Sequence, residues 1–314
     1  MKYYLGRQPF FGVGDTMFSQ IIGHSQIIQR LQKAVSDPSH AYILAGEPGM
    51  GKLALARAFA KALQCEDNNT DACGTCLSCR VFESGNHPDI LYVQATKTKS
   101  IGVEDIRAQL ILPMSEKPFR YRYKIFIINQ ALTPQAQNAL LKTIEEPAPF
   151  GIFLFLTEST RLFLPTVLSR CVTLKLNPLS ENEMAKTLTQ SGQMGHGAEA
   201  AMIFSRGNPG RAMALMKSED FEEMQNLAHT VTANIYGMDT VAVFALYSQF
   251  EKWKESIQTL LDMLYMYYRE GLQKNIQPAL RGIDAVTQAK KALYHNGNFQ
   301  MTIEMMLLKM AGTA

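Results

Sequence analysis

Five short apolar runs punctuate the first half of the chain, at residues 42–45, 90–93, 124–128, 152–156 and 172–176. Each is rich in Ile, Val, Phe and Leu. Segments with helical periodicity fall between them, at 26–34, 53–64, 103–110 and 134–145. This alternation predicts a parallel sheet covered by helices on both faces. The helix over 134–145 has clear ends. Thr133-Pro134 supplies a cap and a proline at the first helical position, and Pro147 forbids continuation. The pattern changes after Leu176. Asn177-Pro178-Leu179-Ser180 leads into a small helical unit reaching about residue 217, with a turn at Gly207-Asn208-Pro209-Gly210. Further helices are predicted at 253–272, 283–294 and 299–310, the first with Leu260, Leu261, Leu264 and Tyr268 at helical spacing. The Met and Tyr residues of this region read as core or subunit-contact residues.

A length of 314 residues fits two or three domains. With 46% hydrophobic and 19% charged residues, the composition is that of an ordinary globular protein. A net charge of +3 is too small to imply nucleic-acid binding by itself. No apolar run is long enough to span a membrane, and residues 1–16 lack the apolar core of a signal peptide. The expectation is a cytosolic protein, with 1–16 an unassigned extension.

The strongest local signal is Gly46-Glu47-Pro48-Gly49-Met50-Gly51-Lys52-Leu53. It follows an apolar run and opens a helix, as a phosphate-binding loop does. Gly46, Gly49, Gly51 and Lys52 fit the pattern, but the hydroxyl that ligates Mg²⁺ is replaced by Leu53. The acidic strand end is altered too: the run over 124–128 ends in Asn129-Gln130, where metal-binding and water-activating carboxylates belong. Amides carry no charge and cannot act as bases at neutral pH. The sequence reads as an NTPase fold that has lost hydrolysis. Nucleotide binding at the loop stays open.

Four of the five cysteines cluster: Cys65, Cys73, Cys76 and Cys79. A reducing compartment argues against disulfides. The spacing suits a closed tetrahedral Zn²⁺ site. An iron–sulfur cluster is the rival, although its motifs place the next Cys downstream, and here the fourth lies upstream. Unliganded thiols remain a third reading. The polar stretch over 66–71 predicts a small projecting lobe clipped by the metal, without a catalytic role.

The run Asn138-Ala139-Leu140-Leu141-Lys142-Thr143-Ile144-Glu145-Glu146-Pro147, followed by Leu168-Ser169-Arg170-Cys171, resembles the clamp-loader branch of the AAA+ family. The cysteine insertion is similar to that of bacterial clamp loaders. Ile21-Ile22-Gly23-His24 resembles the segment lining their adenine pocket. The resemblance covers residues 17 to about 217. It implies an AAA+ domain over 17–176 with the zinc module at 65–79, a helical lid over 177–220 and an oligomerising helical collar over 221–314. The degenerate loop and missing acids separate the chain from the ATP-hydrolysing gamma/tau motor subunits, the alternative reading. They match the delta-prime family of the bacterial DNA polymerase III clamp loader.

That resemblance implies a non-hydrolysing stator, working with gamma/tau and delta subunits to load the sliding clamp on primer–template DNA. It also implies that Arg170, in Ser169-Arg170-Cys171, is presented to ATP held by a neighbouring motor subunit. Gly207-Asn208-Pro209-Gly210-Arg211-Ala212 sits where the family's second sensor lies, and Arg211 fits either a sensor or a structural ion pair. Lys97-Thr98-Lys99-Ser100, before the helix from Val103, resembles a DNA-backbone contact; a solvated basic turn is the plain alternative.

Overall fold

A computed structural model describes residues 17–67, 69–97, 99–192, 197–272 and 275–313. The expected extension at 1–16 lies outside the described residues. The chain divides into two compact units. One runs to Thr187 and takes in Gly207–Arg211; the other comprises Leu188–Arg206 and the chain from Ala212.

The first unit holds α1 (Ser25–Ala34), β1 (Ala41–Ala45), α2 (Lys52–Gln64), α3 (Leu77–Glu83) and β2 (Ile90–Val93). Next come α4 (Val103–Ile106), α5 (Leu112–Met114), β3 (Lys124–Ile128), α6 (Pro134–Glu145), β4 (Gly151–Thr157), α7 (Pro165–Leu168) and β5 (Val172–Lys175). The five strands form one sheet in the order β2-β3-β4-β1-β5. Every pairing is parallel. All five predicted strands are present, within a residue of their expected ends.

Alternation along the strands builds two cores. Tyr42 and Leu44 of β1, Ile125 and Ile127 of β3 and Leu154 of β4 pack with Leu55, Phe59 and Leu63 of α2. Ile43, Phe126, Ile128, Phe153 and Phe155 face the other way, onto Ile106, Leu110, Leu140 and Ile144. Strands buried on both faces carry apolar residues at successive positions, hence the continuous runs in the sequence.

The helix expected over 103–110 differs. After α4 the backbone opens into a π-helical turn, Arg107–Ile111, before α5. The Gln109 amide sits in that turn, donating to Gln94 O at 2.7 Å and accepting from Gln94 N at 3.0 Å. It ties the widened turn to the chain leaving β2. α6 forms as predicted, with the Thr133 hydroxyl accepting the Ala136 N–H at 3.2 Å.

α8 (Glu181–Gln190) crosses the boundary between the units, as does α10 (Pro209–Met216). The second unit adds α9 (Ala198–Ser205), α11 (Glu219–Asn234), α12 (Thr240–Glu251), α13 (Ile257–Gly271), α14 (Ile276–Tyr294) and α15 (Phe299–Ala311). Within it α13 packs on α14, α14 on α15, α11 on α13 and α12 on α15. The expected helix start at Trp253 is displaced: Trp253 is buried in a turn before α13. α14 begins seven residues earlier than the predicted 283, because Pro278 lies within its first turn, where no intrahelical N–H bond is needed.

The α13–α14 contact is close. A Cβ on Gly282 would lie 2.5 Å from the Tyr268 ring. The Tyr268 hydroxyl is buried and has no hydrogen-bond partner among the described residues. Gly282→Ala is expected to destabilise by about 1–3 kcal/mol through overpacking. Tyr268→Phe, which removes an unsatisfied group, should unfold at the wild-type urea midpoint or above it. Equal midpoints for wild type and Gly282→Ala would show that the contact is looser than described.

Candidate functional site

The phosphate-type loop leaves β1 and enters α2, with Gly49 and Gly51 at φ of +86° and +87°. Those left-handed positions favour glycine. The loop's carbonyls are bonded within the chain. Lys52 Nζ donates to Gly46 O at 2.6 Å and to Glu47 O at 2.8 Å. Burial holds its ammonium below the usual lysine pKa, against the pull of Glu158 and Glu47. Asn208 Nδ2 donates to Pro48 O at 2.8 Å, and the Gly210 N–H donates to Gly49 O at 3.0 Å. His24 Nε2 donates to Met50 O at 3.1 Å. Desolvation keeps this imidazole's pKa below its ordinary value, so it is neutral at pH 7.

The three positions that lack catalytic chemistry have structural uses or none. Leu53 packs against the core beneath α2. Asn129 is exposed just past β3. Gln130 Oε1 accepts the Ala95 N–H at 2.7 Å, tying the ends of β2 and β3 together. An amide oxygen serves there as well as a carboxylate would, without a buried charge. Arg211 makes no ion pair among the described residues. Its backbone N–H donates to Asn208 Oδ1 at 3.1 Å, and its side chain is exposed.

The four clustered cysteines converge. Their sulfurs all lie within 4.8 Å of one another, and none is in a disulfide. Four ligands about 2.3 Å from one ion would be separated by about 3.8 Å, so the set fits a single tetrahedral metal. Backbone N–H groups of Cys73, Cys76 and Cys79 donate to Cys65, Cys73 and Cys76 sulfurs at 3.3, 3.3 and 3.4 Å. Such bonds suit thiolates. The Thr75 hydroxyl beside Cys73 pulls that thiol down to about 7, whereas burial pushes Cys65 and Cys79 up. A cation at the centre would offset the cost of ionising the buried pair.

The cysteine lobe is fastened rather than projecting. Asp71 accepts backbone N–H groups of Phe18 and Ser19, both at 3.0 Å. Phe82 of α3 joins the core beneath α2.

Arg170 lies elsewhere. It follows α7 and precedes β5, at the edge where the strands begin. The phosphate-type loop follows β1, at the edge where they end. The five residues of β1 alone span roughly 15 Å. Arg170 Nη1 donates to Thr166 O and Ser169 Oγ, each at 3.0 Å, and Nη2 pairs with Glu145 Oε1 at 2.8 Å. The approach to α7 is set by Gln137 of α6, which is buried. Its amide donates to Leu162 O at 2.9 Å and accepts from Leu164 N at 2.8 Å.

In the basic segment before α4, Thr98 lies outside the described residues. Lys97 and Ser100 precede a helix start already capped from within. Asp105 accepts from Gly102 N at 3.0 Å and from the Thr96 hydroxyl at 2.6 Å. Desolvation raises the Asp105 pKa, but these bonds outweigh it and the net shift is downward.

Residues 23–180 match the family described as "DNA polymerase III, delta subunit". The DNA polymerase III subunit delta' of Bacillus subtilis is 30% identical over 299 residues, covering 86% of this chain and 90% of that protein. The chain belongs to the DNA polymerase III delta-prime family. It is also similar to the subunit tau/gamma of Haemophilus influenzae, 36% identical over 177 residues, but there it spans only 25% of the relative's length. A solved gamma subunit-related protein from Thermotoga maritima aligns at a TM-score of 0.43 and 17% identity, over 91% of this chain and 99% of that one.

Delta-prime and tau/gamma are subunits of one clamp-loader family, and this member carries its candidate chemistry at three separate places: loop, cysteine lobe and Arg170. Three contributors have weak sequence signals. Asn208 looks like a turn residue, Gln137 like an ordinary polar helix residue, and Glu145 like an ordinary helix end. A polar residue placed on the apolar side of a helix was the available signal for Gln137.

In this delta-prime member the loop is braced by Asn208, which is itself buried. Asn208→Ala leaves Pro48 O without its partner and should lower stability by about 1–3 kcal/mol. Urea unfolding of the purified variant measures it. An unchanged midpoint would mean that water replaces the amide at no cost.

Proposed function

We propose that this chain is a non-hydrolysing clamp-loader stator that supplies Arg170 in trans to ATP bound by a neighbouring gamma/tau-type subunit. The separation of Arg170 from the chain's own loop carries this reading. A guanidinium at the strand-start edge cannot reach a phosphate at the strand-end edge of the same sheet, so a nucleotide for it must come from another subunit. Its planar fork suits an oxygen-rich, charge-developing phosphoryl group. The loop supports the other half of the proposal. Leu53, Asn129 and Gln130 offer no metal ligand or base, and Lys52 is engaged by its own loop's carbonyls. The motor-subunit alternative would require all three losses to be rescued from elsewhere.

The same reading assigns a helical lid over 177–220 and a collar over 221–314, with delta and gamma/tau subunits as ring partners and the sliding clamp and primer–template DNA as the substrates of the assembly. Lys97 and Lys99 are candidate backbone contacts. Arg211 is a sensor-like residue with no nucleotide to sense. The cysteine lobe holds structural Zn²⁺ through Cys65, Cys73, Cys76 and Cys79. The close packing of the four sulfurs supports one ion over an iron–sulfur cube, which holds its cysteines farther apart.

A ring reconstituted with Arg170→Ala should assemble and keep its metal, yet hydrolyse ATP more slowly when DNA and clamp are added. Arginine fingers contribute about 10³–10⁵ in related NTPases, and the loss in the whole ring should be smaller because other sites continue to turn over. Arg170→Lys should fail as well, lacking the fork. Wild-type rates for both variants would remove the stator's chemical role.

Elemental analysis of the purified chain is expected to give one zinc per chain. Iron in its place, or no metal, would contradict the assignment. Cys76→Ser should release the zinc and leave the sheet folded.

A further inference from the structure

We infer that Glu145 is the positioning residue for Arg170, an inference that rests on the trans-acting role proposed above. The guanidinium is held by three acceptors of its own chain: the Thr166 carbonyl, the Ser169 hydroxyl and the Glu145 carboxylate. The first two bonds use Nη1 and come from α7 and the residue that caps it, immediately before the arginine. Glu145 comes from a different element, the last residue of α6, and among the described residues it is the partner of Nη2. It therefore fixes the direction of the fork relative to the sheet, where the two local bonds fix only the arginine against its own turn.

Two further features separate this pair from a chance surface contact. The Nε–H and the second Nη2–H take no part in these three contacts, so two donors of the fork stay available for incoming phosphate oxygens. The side chains of Arg170 and Glu145 are 39% and 45% exposed, so a subunit docking at this edge could reach the guanidinium without unfolding anything. Exposed ion pairs contribute little to stability, which makes a purely structural role for this one weak. Orientation is a different matter. A free arginine side chain samples many rotamers, and holding it near its working geometry removes that cost from the transition state. Glu145 also ends a helix whose position is tied to α7 through Gln137, so the carboxylate and the arginine ride on one braced frame.

The test uses the reconstituted ring with DNA and clamp, reading kcat and KM for ATP. Arg170→Ala, Glu145→Gln, Glu145→Asp and the double variant Glu145→Gln/Arg170→Ala are compared, with the melting temperature of each purified chain. Positioning predicts that Glu145→Gln lowers kcat by about two- to tenfold, the range expected for removing the charge of one ion-pair partner in a ring where other sites continue to turn over. KM and the melting temperature should stay at wild-type values. Glu145→Asp should recover part of the loss, and the double variant should be no slower than Arg170→Ala alone.

A slow Arg170→Ala ring beside a Glu145→Gln ring of wild-type or higher kcat would overturn the positioning role while leaving the trans-acting arginine intact. A Glu145→Gln loss that adds to that of Arg170→Ala, or that tracks a lowered melting temperature, would also overturn it. Wild-type turnover with Arg170→Ala would remove the trans role itself, and the positioning role with it.

Discussion

Parallel pairing puts every strand start on one edge of the sheet and every strand end on the other. That constraint separates the glycine-rich loop from Arg170. β1 delivers its glycine-rich loop to the strand-end edge, and the return from β4 to β5 delivers Arg170 to the strand-start edge. The two cores hold the separation fixed, because β1, β3 and β4 are buried on both faces and cannot slide without moving α2 or α6. One subunit built this way can offer a phosphate loop to one neighbour's side and an arginine to the other. Under the proposed function, the loop's half of that arrangement lacks metal ligands and the arginine's half is in use.

The retained loop has a physical use without a nucleotide. Its bends still require Gly49 and Gly51. Lys52 turns back onto Gly46 O and Glu47 O, so its ammonium is hydrogen-bonded without a phosphate. Asn208 and Gly210 bond to the next two carbonyls along the loop. Gln130 joins the ends of two strands. These contacts show how the loop keeps its shape: the Lys52 ammonium and the carbonyls of Gly46, Glu47, Pro48 and Gly49 all have partners on the chain.

The sheet was fully legible in the sequence because doubly buried strands must be continuously apolar, and α6 was legible because Thr133, Pro134 and Pro147 mark both ends. Gly46, Gly49, Gly51 and Lys52, the four cysteines and Arg170 were legible as local patterns. What escaped was pairing over distance. Nothing in the local sequence ties Glu145 to Arg170 or Asn208 to Pro48; those contacts exist only once α6 and the turn at 207–210 have been placed. The π-helical turn after Ile106 escaped because 3.6-residue periodicity does not register one widened turn. In the helical second unit α11 and α12 were not separated in advance, although Ser218 and Asp239 cap them by accepting Phe221 and Ala242 N–H groups. Short polar caps among many Met and Ala residues are faint signals beside a long apolar period.

A structure of the assembled ring with a γ-phosphate mimic, at a resolution that shows side chains, tests the account most directly. It should show the Arg170 guanidinium within hydrogen-bonding distance of the mimic on the neighbouring subunit, and this chain's own loop without nucleotide, Lys52 still on Gly46 O and Glu47 O. Nucleotide bound in this chain's loop, with Arg170 pointing away from every phosphate, would contradict it.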